Sequence, residues 1–434
     1  MKNIFQIPLL TLLVFVFSLD RSYAQAGIDS LKIMNYNLTN YGNNFGGCTS
    51  ANNGLTLKNP EFKTIVKYVN PDILGACEVN VNPAIANNFL ANVLNTDGVT
   101  YYKKSNFQAE GFSDITSVLY FNSNKLTLAG QSFVNTSPRY VHHYRLYVNA
   151  ESLALGDTIW INILATHLKA GAGTSDQTER ANAAKSVRTY LNNFPKTENC
   201  LIMGDFNVYR NTEAAYQNLT ETGTRPTYQF LDPINRVGSW GSNSSYADVH
   251  TQCPIRSGNS CFSGGGLDDR FDFILMNRHM LNDSAGLKYK PGTYKAIGND
   301  GRHFDRAINE SPTNNSVPAN VLLSLTKASD HLPVVATLQV AGTIITSAKA
   351  QVYAHSILSF FDGNDLKFTG LDGNNLEKIL VFNMNGQQVF SGKPIGNNEV
   401  STASLSRLNA GIYNIKIIYK DGKVLFSRVS KRAE

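Results

Sequence analysis

The chain has 434 residues, more than one ordinary hydrophobic core accommodates, so we expect two or three domains. Its 42% apolar and 17% charged residues are typical of a globular protein and exclude an intrinsically disordered one. The net charge of +6 lies mainly in the tail, because residues 345–434 carry 11 basic and 7 acidic side chains; it permits a polyanionic partner without indicating one.

Residues 1–24 have the pattern of a secretory signal peptide. Lys2 precedes an apolar run from about Ile4 to Phe17, and small residues around Ala24 mark the expected cleavage site. The apolar run is too short for a comfortable membrane span, and Pro8 interrupts it. We therefore expect an exported protein without a transmembrane segment.

Residues 25–340 alternate short β-like runs with polar loops. Helical apolar spacing predicts helices over residues 59–70 and 176–194. Strands that recur with interspersed helices predict a four-layer α/β sandwich, in which two packed β-sheets are flanked by helices. The predicted strands cover residues 31–37, 72–79, 116–122, 158–168, 200–206, 270–277 and 333–340.

The pattern changes after Val340. Residues 341–350 form a small-residue linker, and residues 351–434 show only β-like runs. Asn385-Gly386 and Asp421-Gly422 are typical hairpin turns between such runs. A second domain, an all-β sandwich over residues 351–434, is therefore expected.

Five cysteines in an exported chain predict at least one disulfide and at least one unpaired thiol. Cys253 and Cys261 flank a short polar loop, so they are the expected bridge. Cys77 and Cys200 lie within apolar strand-like runs, where a small buried thiol is the ordinary expectation.

Acids, amides and histidines collect at the ends of the predicted central strands. One polar strand end is usual turn chemistry, but a series of ends that carries only metal-ligand or proton-transfer side chains indicates a catalytic edge. Hydrolysis of a phosphate ester needs such a set, because hard oxygen ligands suit Mg²⁺ and histidines neutralise or protonate oxyanions. The residues are Asn37, Glu78, His167, Asp205, Asn207, Asp272, Asp330 and His331.

These motifs resemble those of the endonuclease/exonuclease/phosphatase superfamily, and within it the secreted DNase I-like nucleases, over roughly residues 30–340. The matching stretches are LKIMNYN (31–37), CEV (77–79), ATHL (165–168), GDFN (204–207) and SDH (329–331). The resemblance implies that Asn37, Glu78 and Asp330 hold Mg²⁺, with Mn²⁺ or Ca²⁺ as alternatives.

The resemblance also implies a role for each remaining member of the set. Asp205 and Asn207 would position the attacking water and the phosphate. Asp272 would orient the catalytic His331, and His167 would contact the phosphate or the leaving oxygen. Lys169 and Arg180 are further candidates for a phosphate contact, or else ordinary solvated side chains of a loop and a helix.

The implied function is that of a secreted Mg²⁺-dependent phosphodiester hydrolase, a monomeric extracellular nuclease acting on DNA or RNA. One alternative keeps the chemistry and changes the substrate to a phospholipid or sphingolipid headgroup. Such an enzyme would present exposed aromatic residues near the site, for which Tyr140, Tyr144 and Trp240 are candidates. The other alternative is a surface binding protein with an inactive site.

The tail resembles the C-terminal sorting domain of type IX secretion substrates. VFNMNGQQVFSG (381–392), LNAGIYNIKI (408–417) and the basic end at Lys431-Arg432 carry the likeness. It implies export through the type IX machinery, followed by release or attachment at the cell surface.

Overall fold

The computed structural model describes residues 28–340 and 358–431, with gaps in both ranges. The gaps are residues 111, 150–157, 195–197, 223–227, 283–284, 363–364, 370–374, 385–386, 394–398, 401–404, 406–407 and 421–423. The predicted signal peptide, the predicted linker and both predicted hairpin turns lie outside the described residues.

The first range holds a mixed α/β arrangement. Its strands are β1 (Ser30–Tyr41), β2 (Ile73–Asn80), β3 (Tyr102–Lys104), β4 (Ile115–Asn122), β5 (Leu126–Val134), β6 (Val141–Val148), β7 (Trp160–His167), β8 (Asn199–Asp205), β9 (Phe230–Leu231), β10 (Asp272–Asn277), β11 (Leu287–Tyr289), β12 (Lys295–Ala296) and β13 (Val334–Val340). Its α-helices are α1 (Ser50–Asn53), α2 (Leu55–Val69), α3 (Pro83–Phe89), α4 (Thr174–Asn193), α5 (Ala214–Thr220), α6 (Arg278–Asn282) and α7 (Ala319–Ala328).

The strands form two sheets. The first has the order β11-β13-β1-β2-β4-β3, with β12 paired to β13, and the second has the order β5-β6-β7-β8-β10-β9. Within the first sheet β1 and β2 run parallel, and within the second β7 and β8 do the same. Strands β13 and β10 run antiparallel to β1 and β8. The carboxyl ends of β1, β2, β7 and β8 and the amino ends of β10 and β13 therefore lie at corresponding edges.

The sheets pack face to face because alternate residues of a strand point to opposite sides. In β1, Leu31 and Ile33 belong to the core between the sheets, whereas Met34 and Tyr36 pack in the core beneath α2 and α7. The sheets approach closely at Gly75 of β2, where a Cβ atom would lie 2.4 Å from the terminal methyl group of Met203 in β8.

Helices cover the outer faces of both sheets. The apolar face of α2 packs with α7 on the first sheet, and α4 and α5 pack on the second. In the second sheet Val187 of α4 and Leu219 of α5 share a core with Ile202 of β8. The four layers predicted from the sequence are confirmed.

The second range consists of β-strands: β14 (Leu358–Asp362), β15 (Asp365–Thr369), β16 (Leu376–Asn383), β17 (Gln388–Gly392), β18 (Glu399–Val400), β19 (Gly411–Tyr419) and β20 (Val424–Lys431). They form a three-stranded sheet, β14-β15-β18, and a four-stranded sheet, β17-β16-β19-β20. Phe368 of the first and Ile379 and Ile415 of the second share one hydrophobic cluster, so this region is an all-β unit, as expected.

Among the described residues, no helix is long and apolar enough to cross a membrane.

Candidate active site

The polar strand ends meet at one edge of the two sheets. Asn37 lies in β1 beside Cys77 of β2, and His167 ends β7 beside Asp205, the last residue of β8. Asp272 begins β10 directly opposite Asp205, because those two strands are antiparallel. The topology therefore brings together side chains as far apart in the sequence as Asn37 and Asp272, a separation of 235 positions.

One carboxylate oxygen lies at the centre of the site. Oδ2 of Asp205 accepts a hydrogen bond from Nδ2 of Asn37 at 3.1 Å. The same oxygen lies 3.5 Å from Nε2 of His167 and 3.8 Å from Nε2 of His331. Nδ2 of Asn37 also donates to Oε1 of Glu78 at 2.9 Å. These five residues come from both sheets, which makes the site a product of the sandwich as a whole.

His331 is held by a buried acid. Its Nδ1 donates to Oδ2 of Asp272 at 2.7 Å, and Nδ2 of Asn35 lies 3.3 Å from the other oxygen of that carboxylate. Burial of the ring disfavours its charged form, but Asp272, followed by Asp205 and Asp330, outweighs burial and raises the pKa of His331 well above its usual value. The direction of this pKa shift favours the protonated ring, whose Nε2 lies 3.8 Å from Oδ2 of Asp205.

His167 has the opposite electrostatic character. Burial, with smaller contributions from Arg139 and His331, lowers the pKa of His167 well below its usual value. Its Nδ1 has no hydrogen-bond partner among the described residues.

The packing and hydrogen bonds of residues 204–207 explain why the GDFN tetrapeptide lies at the end of β8. A Cβ atom on Gly204 would lie 1.8 Å from the carbonyl oxygen of Thr166, so only glycine fits beside β7. Asn207 has a φ of 52°, its N–H donates to Oδ1 of Asp205 at 3.0 Å, and its Nδ2 donates to the carbonyl of Leu168 at 3.3 Å. Glu78 also has a positive φ, 59°. Two non-glycine residues in this unfavourable region are typical of a functional site.

The site has a donor set that fits a divalent cation. Among the described residues, Glu78, His167 and Asp205 each offer a ligand atom, and these atoms lie within 4.8 Å of one another. Burial raises the pKa of Asp205 to about 7; Asp272 and Glu78 add to the rise, and His331 opposes it. The carboxylates of the site thus outnumber its one cationic ring. A bound metal ion would neutralise this excess of negative charge.

Asp330 lies beside this cluster rather than within it. Its Oδ1 accepts from Oγ1 of Thr39 at 2.5 Å, and its Oδ2 accepts from the N–H of Ser263 at 2.8 Å. The metal-ligating role expected for Asp330 therefore stays a prediction, as do the catalytic roles of the other residues.

Four nearby residues are absent from the sequence prediction: Asn35, Thr39, Arg139 and Gln252. Arg139 donates to the carbonyls of His167 and Leu168 at 2.9 and 2.8 Å. The side-chain nitrogen of Gln252 lies 2.8 Å from Nε2 of His331. Asn35 was recognisable, because it lies two positions before Asn37 and shares its face of β1. The other three lie outside the predicted strands and carry no local signal.

The prediction for one of the two basic residues, Arg180, is corrected. Arg180 is buried and pairs with Glu213 at 2.7 Å while it donates to the carbonyls of Lys169 and Gly171. Lys169 pairs with Asp176 at 2.8 Å. Arg180 is therefore neither a solvated helix residue nor free to meet a phosphate; it ties α4 to the loop after β7.

The predicted Cys253–Cys261 bridge is wrong. Cys261 forms its disulfide with Cys48, 213 positions away, and Cys253 is a buried free thiol. The prediction used nearness in sequence, whereas the fold places the loop after β1 against the loop around Cys261. Cys77 and Cys200 are buried free thiols, as expected.

Comparisons with known proteins identify the tail. Residues 364–429 match the family described as a secretion system C-terminal sorting domain. The prediction of a type IX sorting domain is thus confirmed, and the protein is secreted or displayed at the cell surface. No curated protein matches the chain.

Solved structures similar to this chain include an endonuclease/exonuclease/phosphatase family protein from Bacteroides thetaiotaomicron, 16% identical, covering 72% of this chain and 95% of that chain with a TM-score of 0.41. Another is an endonuclease/exonuclease/phosphatase from Bacteroides vulgatus, 14% identical, covering 72% and 99% with a TM-score of 0.45. A third is the human Nocturnin catalytic domain with bound sulfate, 14% identical, covering 71% and 94% with a TM-score of 0.42.

Proposed function

We propose that the region of residues 28–340 is a divalent-metal-dependent phosphodiesterase that acts outside the cell, with nucleic acid as its substrate. The observation that carries the proposal is the environment of Asp205 Oδ2, which Asn37, His167 and His331 face from three different elements at 3.1, 3.5 and 3.8 Å. A phosphate ester needs this combination of a proton acceptor, a cationic hydrogen-bond donor and oxygen ligands.

Each residue then has a defined task. Asp205, whose pKa burial raises to about 7, accepts the proton of the attacking water near neutral pH. His331, kept protonated by Asp272, donates from Nε2 to the phosphate oxygen on which negative charge develops. His167, neutral at this pH, supplies a further hydrogen bond at the phosphate.

Glu78 would hold the metal, with Asn37 orienting it through its hydrogen bond, and Asp205 and His167, whose ligand atoms lie within 4.8 Å, would face the metal's bound water and the phosphate. When bound, a divalent ion supplies charge neutralisation for the phosphate and acidifies a coordinated water. Oxygen ligands dominate the set, which favours Mg²⁺ or Mn²⁺ over a thiolate-seeking metal.

The choice of nucleic acid rests on the resemblance of the sequence motifs to DNase I-like nucleases. The proposal is supported by the contacts of these motifs, because Asn207 of GDFN donates its N–H to Asp205 and His331 of SDH lies 3.8 Å from the same carboxylate. Export through the type IX route, which the tail indicates, supports an extracellular polymer as the substrate.

A lipid headgroup is the second candidate, and one observation favours it. Tyr144 and Trp240 are buried, but Tyr140 stacks on Phe133 at 4.4 Å and meets Phe112 edge-on at 5.4 Å. Phe112 and Phe133 are 56% and 41% exposed. We call Phe112, Phe133 and Tyr140 the aromatic cluster. It adjoins Arg139, which bonds the end of β7, and exposed aromatic groups of this kind insert into membrane surfaces.

A substrate panel separates the two candidates. The mature protein is incubated with plasmid DNA, RNA and sphingomyelin vesicles, in Mg²⁺ and in EDTA. The double variant Phe112→Ser/Phe133→Ser is measured in parallel, with Leu323→Ser, at an exposed position of α7, as the control. The proposal predicts EDTA-sensitive cleavage of DNA or RNA. Vesicle hydrolysis alone, lost in the double variant and kept in the control, would assign the site to lipid headgroups. Failure to hydrolyse any substrate would favour a binding protein.

A further inference from the structure

The Cys48–Cys261 disulfide joins two loops that lie beside the candidate metal site. Cys48 follows β1, and Cys261 belongs to the long loop before β10. Asn40, at the end of β1 just before the first loop, donates its N–H to Glu78 of the site, and the second loop donates one N–H to Asp330, which lies beside the site. These two contacts suggest that the disulfide does more than stabilise the fold.

The end of β1, which leads into the loop of Cys48, orients Glu78. The N–H of Asn40 donates to Oε2 of Glu78 at 2.8 Å, and Nδ2 of Asn40 lies 3.5 Å from Sγ of Cys48. Asn40 has a φ of 51°, an unfavourable conformation that surrounding contacts must maintain. The position of Cys48 therefore bears directly on the residue that holds Glu78.

The second loop orients Asp330. The N–H of Ser263, two residues after Cys261, donates to Oδ2 of Asp330 at 2.8 Å. Between them, the ring of Phe262 packs against Nζ of Lys58 at 3.9 Å from the ring centroid. Lys58 in turn donates to the carbonyl of Ala328, two residues before Asp330.

Few other contacts join the two loops. Oγ of Ser260 donates to the carbonyl of Gly47 at 2.8 Å, and Nδ2 of Asn52 lies 3.0 Å from the same hydroxyl oxygen. Both hydrogen bonds are exposed to water, and such bonds contribute little to holding two loops together. The covalent bond therefore links the two loops directly, in addition to the buried hydrogen bonds by which Thr39 holds Ser329 and Asp330 against the end of β1.

We propose that the Cys48–Cys261 disulfide is a positioning element of the metal site, and that affinity for a divalent cation depends on its being formed. This inference rests on the proposed function. It implies that the reduced chain, before it reaches an oxidising compartment, binds the metal weakly, so that full activity at ordinary metal concentrations appears only after export.

The test compares Mn²⁺ affinity by electron paramagnetic resonance in the oxidised and reduced forms of the mature protein. Dithiothreitol reduces the bond: the reagent's two thiols give up two electrons and two protons and close to a disulfide, while Cys48 and Cys261 become thiols. The reagent is then removed without air. Cys48→Ser/Cys261→Ser is measured in parallel, with Cys200→Ala as the control for loss of a buried thiol away from the loops.

We expect the reduced protein and the double variant to bind Mn²⁺ at least about tenfold more weakly, in the range seen when groups that orient metal ligands are removed. Cys200→Ala should bind like the wild type. At saturating metal, the hydrolysis rate of the double variant should return to within about threefold of the wild type, because the disulfide itself contacts no substrate. Near-UV circular dichroism should show that both altered forms stay folded.

Unchanged Mn²⁺ affinity in a folded, reduced protein would overturn the inference and leave the proposed function intact. Unfolding of both the reduced protein and the double variant would also overturn it, because the disulfide would then stabilise the fold rather than position the ligands. Absence of Mn²⁺ binding in the oxidised wild type would instead refute the metal site itself.

Discussion

Nδ1 of His331 donates a hydrogen bond to Oδ2 of Asp272 at 2.7 Å, and both side chains are almost completely buried. The charged carboxylate raises the pKa of the ring despite the opposing effect of burial. The pair therefore fixes both the orientation and the charge of the histidine, and it leaves Nε2 facing Asp205.

Asp272→Asn should remove the charge that keeps His331 protonated. The pKa of His331 is higher in the folded chain than its value near 6.5 in the unfolded chain, so protonation of the ring stabilises the fold. This stability is fully present below pH 6.5 and is lost as the pH rises through the pKa of the folded chain. The variant should lose the protonated ring at a lower pH. We expect kcat to fall by about 10² or more and the alkaline limb of the kcat–pH profile to move down by at least about one pH unit.

The control for this experiment is Asp300→Asn. Asp300 pairs with His303 at 2.7 Å, outside the candidate site, so its removal should leave the profile unchanged. An alkaline limb that does not move in Asp272→Asn would show that the protonation of His331 does not govern the reaction.

Glu78→Gln should weaken divalent-metal binding. The substitution keeps the shape of the side chain but removes the charge of one member of the Glu78, His167 and Asp205 cluster. We expect Mn²⁺ affinity, measured by isothermal titration calorimetry, to fall by about 100-fold or more. Glu61→Gln, which removes the acid paired with Lys327 on the helices, should bind as the wild type does. Equal affinity in the two variants would remove Glu78 from the metal site.

Lys58 should make folding stability depend on pH in metal-free buffer. Burial lowers the pKa of Lys58 from 10.5 to about 7, although Asp330 and Glu78 oppose the shift. Between those two values the unfolded chain binds a proton that the folded chain does not, so stability rises with pH. The two states differ by at most one bound proton at this residue, so the free energy of unfolding rises by at most about 1.4 kcal/mol per pH unit.

Urea unfolding of the wild type and of Lys58→Met between pH 7 and about 9 measures this contribution. The upper limit avoids buried tyrosines, whose raised pKa values lower stability at higher pH, and the comparison with the variant cancels the same effect of buried cysteines. The free energy of unfolding should rise less steeply with pH in the variant. Parallel slopes would mean that Lys58 stays charged in the folded protein.

Gly204→Ala should disrupt the edge of the sheet that presents Asp205. The added Cβ atom would meet the carbonyl oxygen of Thr166 at 1.8 Å, and the neighbouring strand cannot retreat without breaking its register. We expect a loss of about 3 kcal/mol or more in unfolding free energy, measured by chemical denaturation. Gly130→Ala in β5, which meets nothing within 4 Å, is the matched control. Similar stability of both variants would contradict this packing.

Deletion of the tail should block export without abolishing catalysis. Residues 364–429 form the match to the sorting domain, so a chain ending after Val340 should accumulate inside the outer membrane of the producing cell. Its hydrolytic activity in a lysate should remain, because every residue of the candidate site precedes Val340. Immunoblots of the medium, surface and periplasm check the first point. Equal amounts of both forms outside the cell would contradict the role of the tail.

The four layers and the polar residues at the strand ends could be predicted from the sequence. Alternation in β1 and helical spacing in α2 are local patterns, and they survive folding because each element buries one face. The hairpin of β5 and β6 was not predicted, since β5 is an edge strand with half-exposed residues and lacks a strong apolar run.

Long-range partners could not be predicted. Cys48 pairs across 213 positions, and Arg139 reaches the end of β7 from a loop, so neither contact leaves a pattern in the local sequence. The burial of Arg180 escaped prediction for the same reason, because its partner Glu213 lies 33 positions away. Such contacts depend on how the layers pack, which no short window of sequence encodes.

The most direct test of the central claim is the rate of bis-p-nitrophenyl phosphate hydrolysis by the mature protein in Mg²⁺, before and after excess EDTA, beside Asp205→Asn. The proposed site predicts a steady release of nitrophenol that stops when the chelator is added and falls by at least about 10² in the variant. The same rate in EDTA, or in Asp205→Asn, would show that neither the metal nor the central carboxylate performs the reaction.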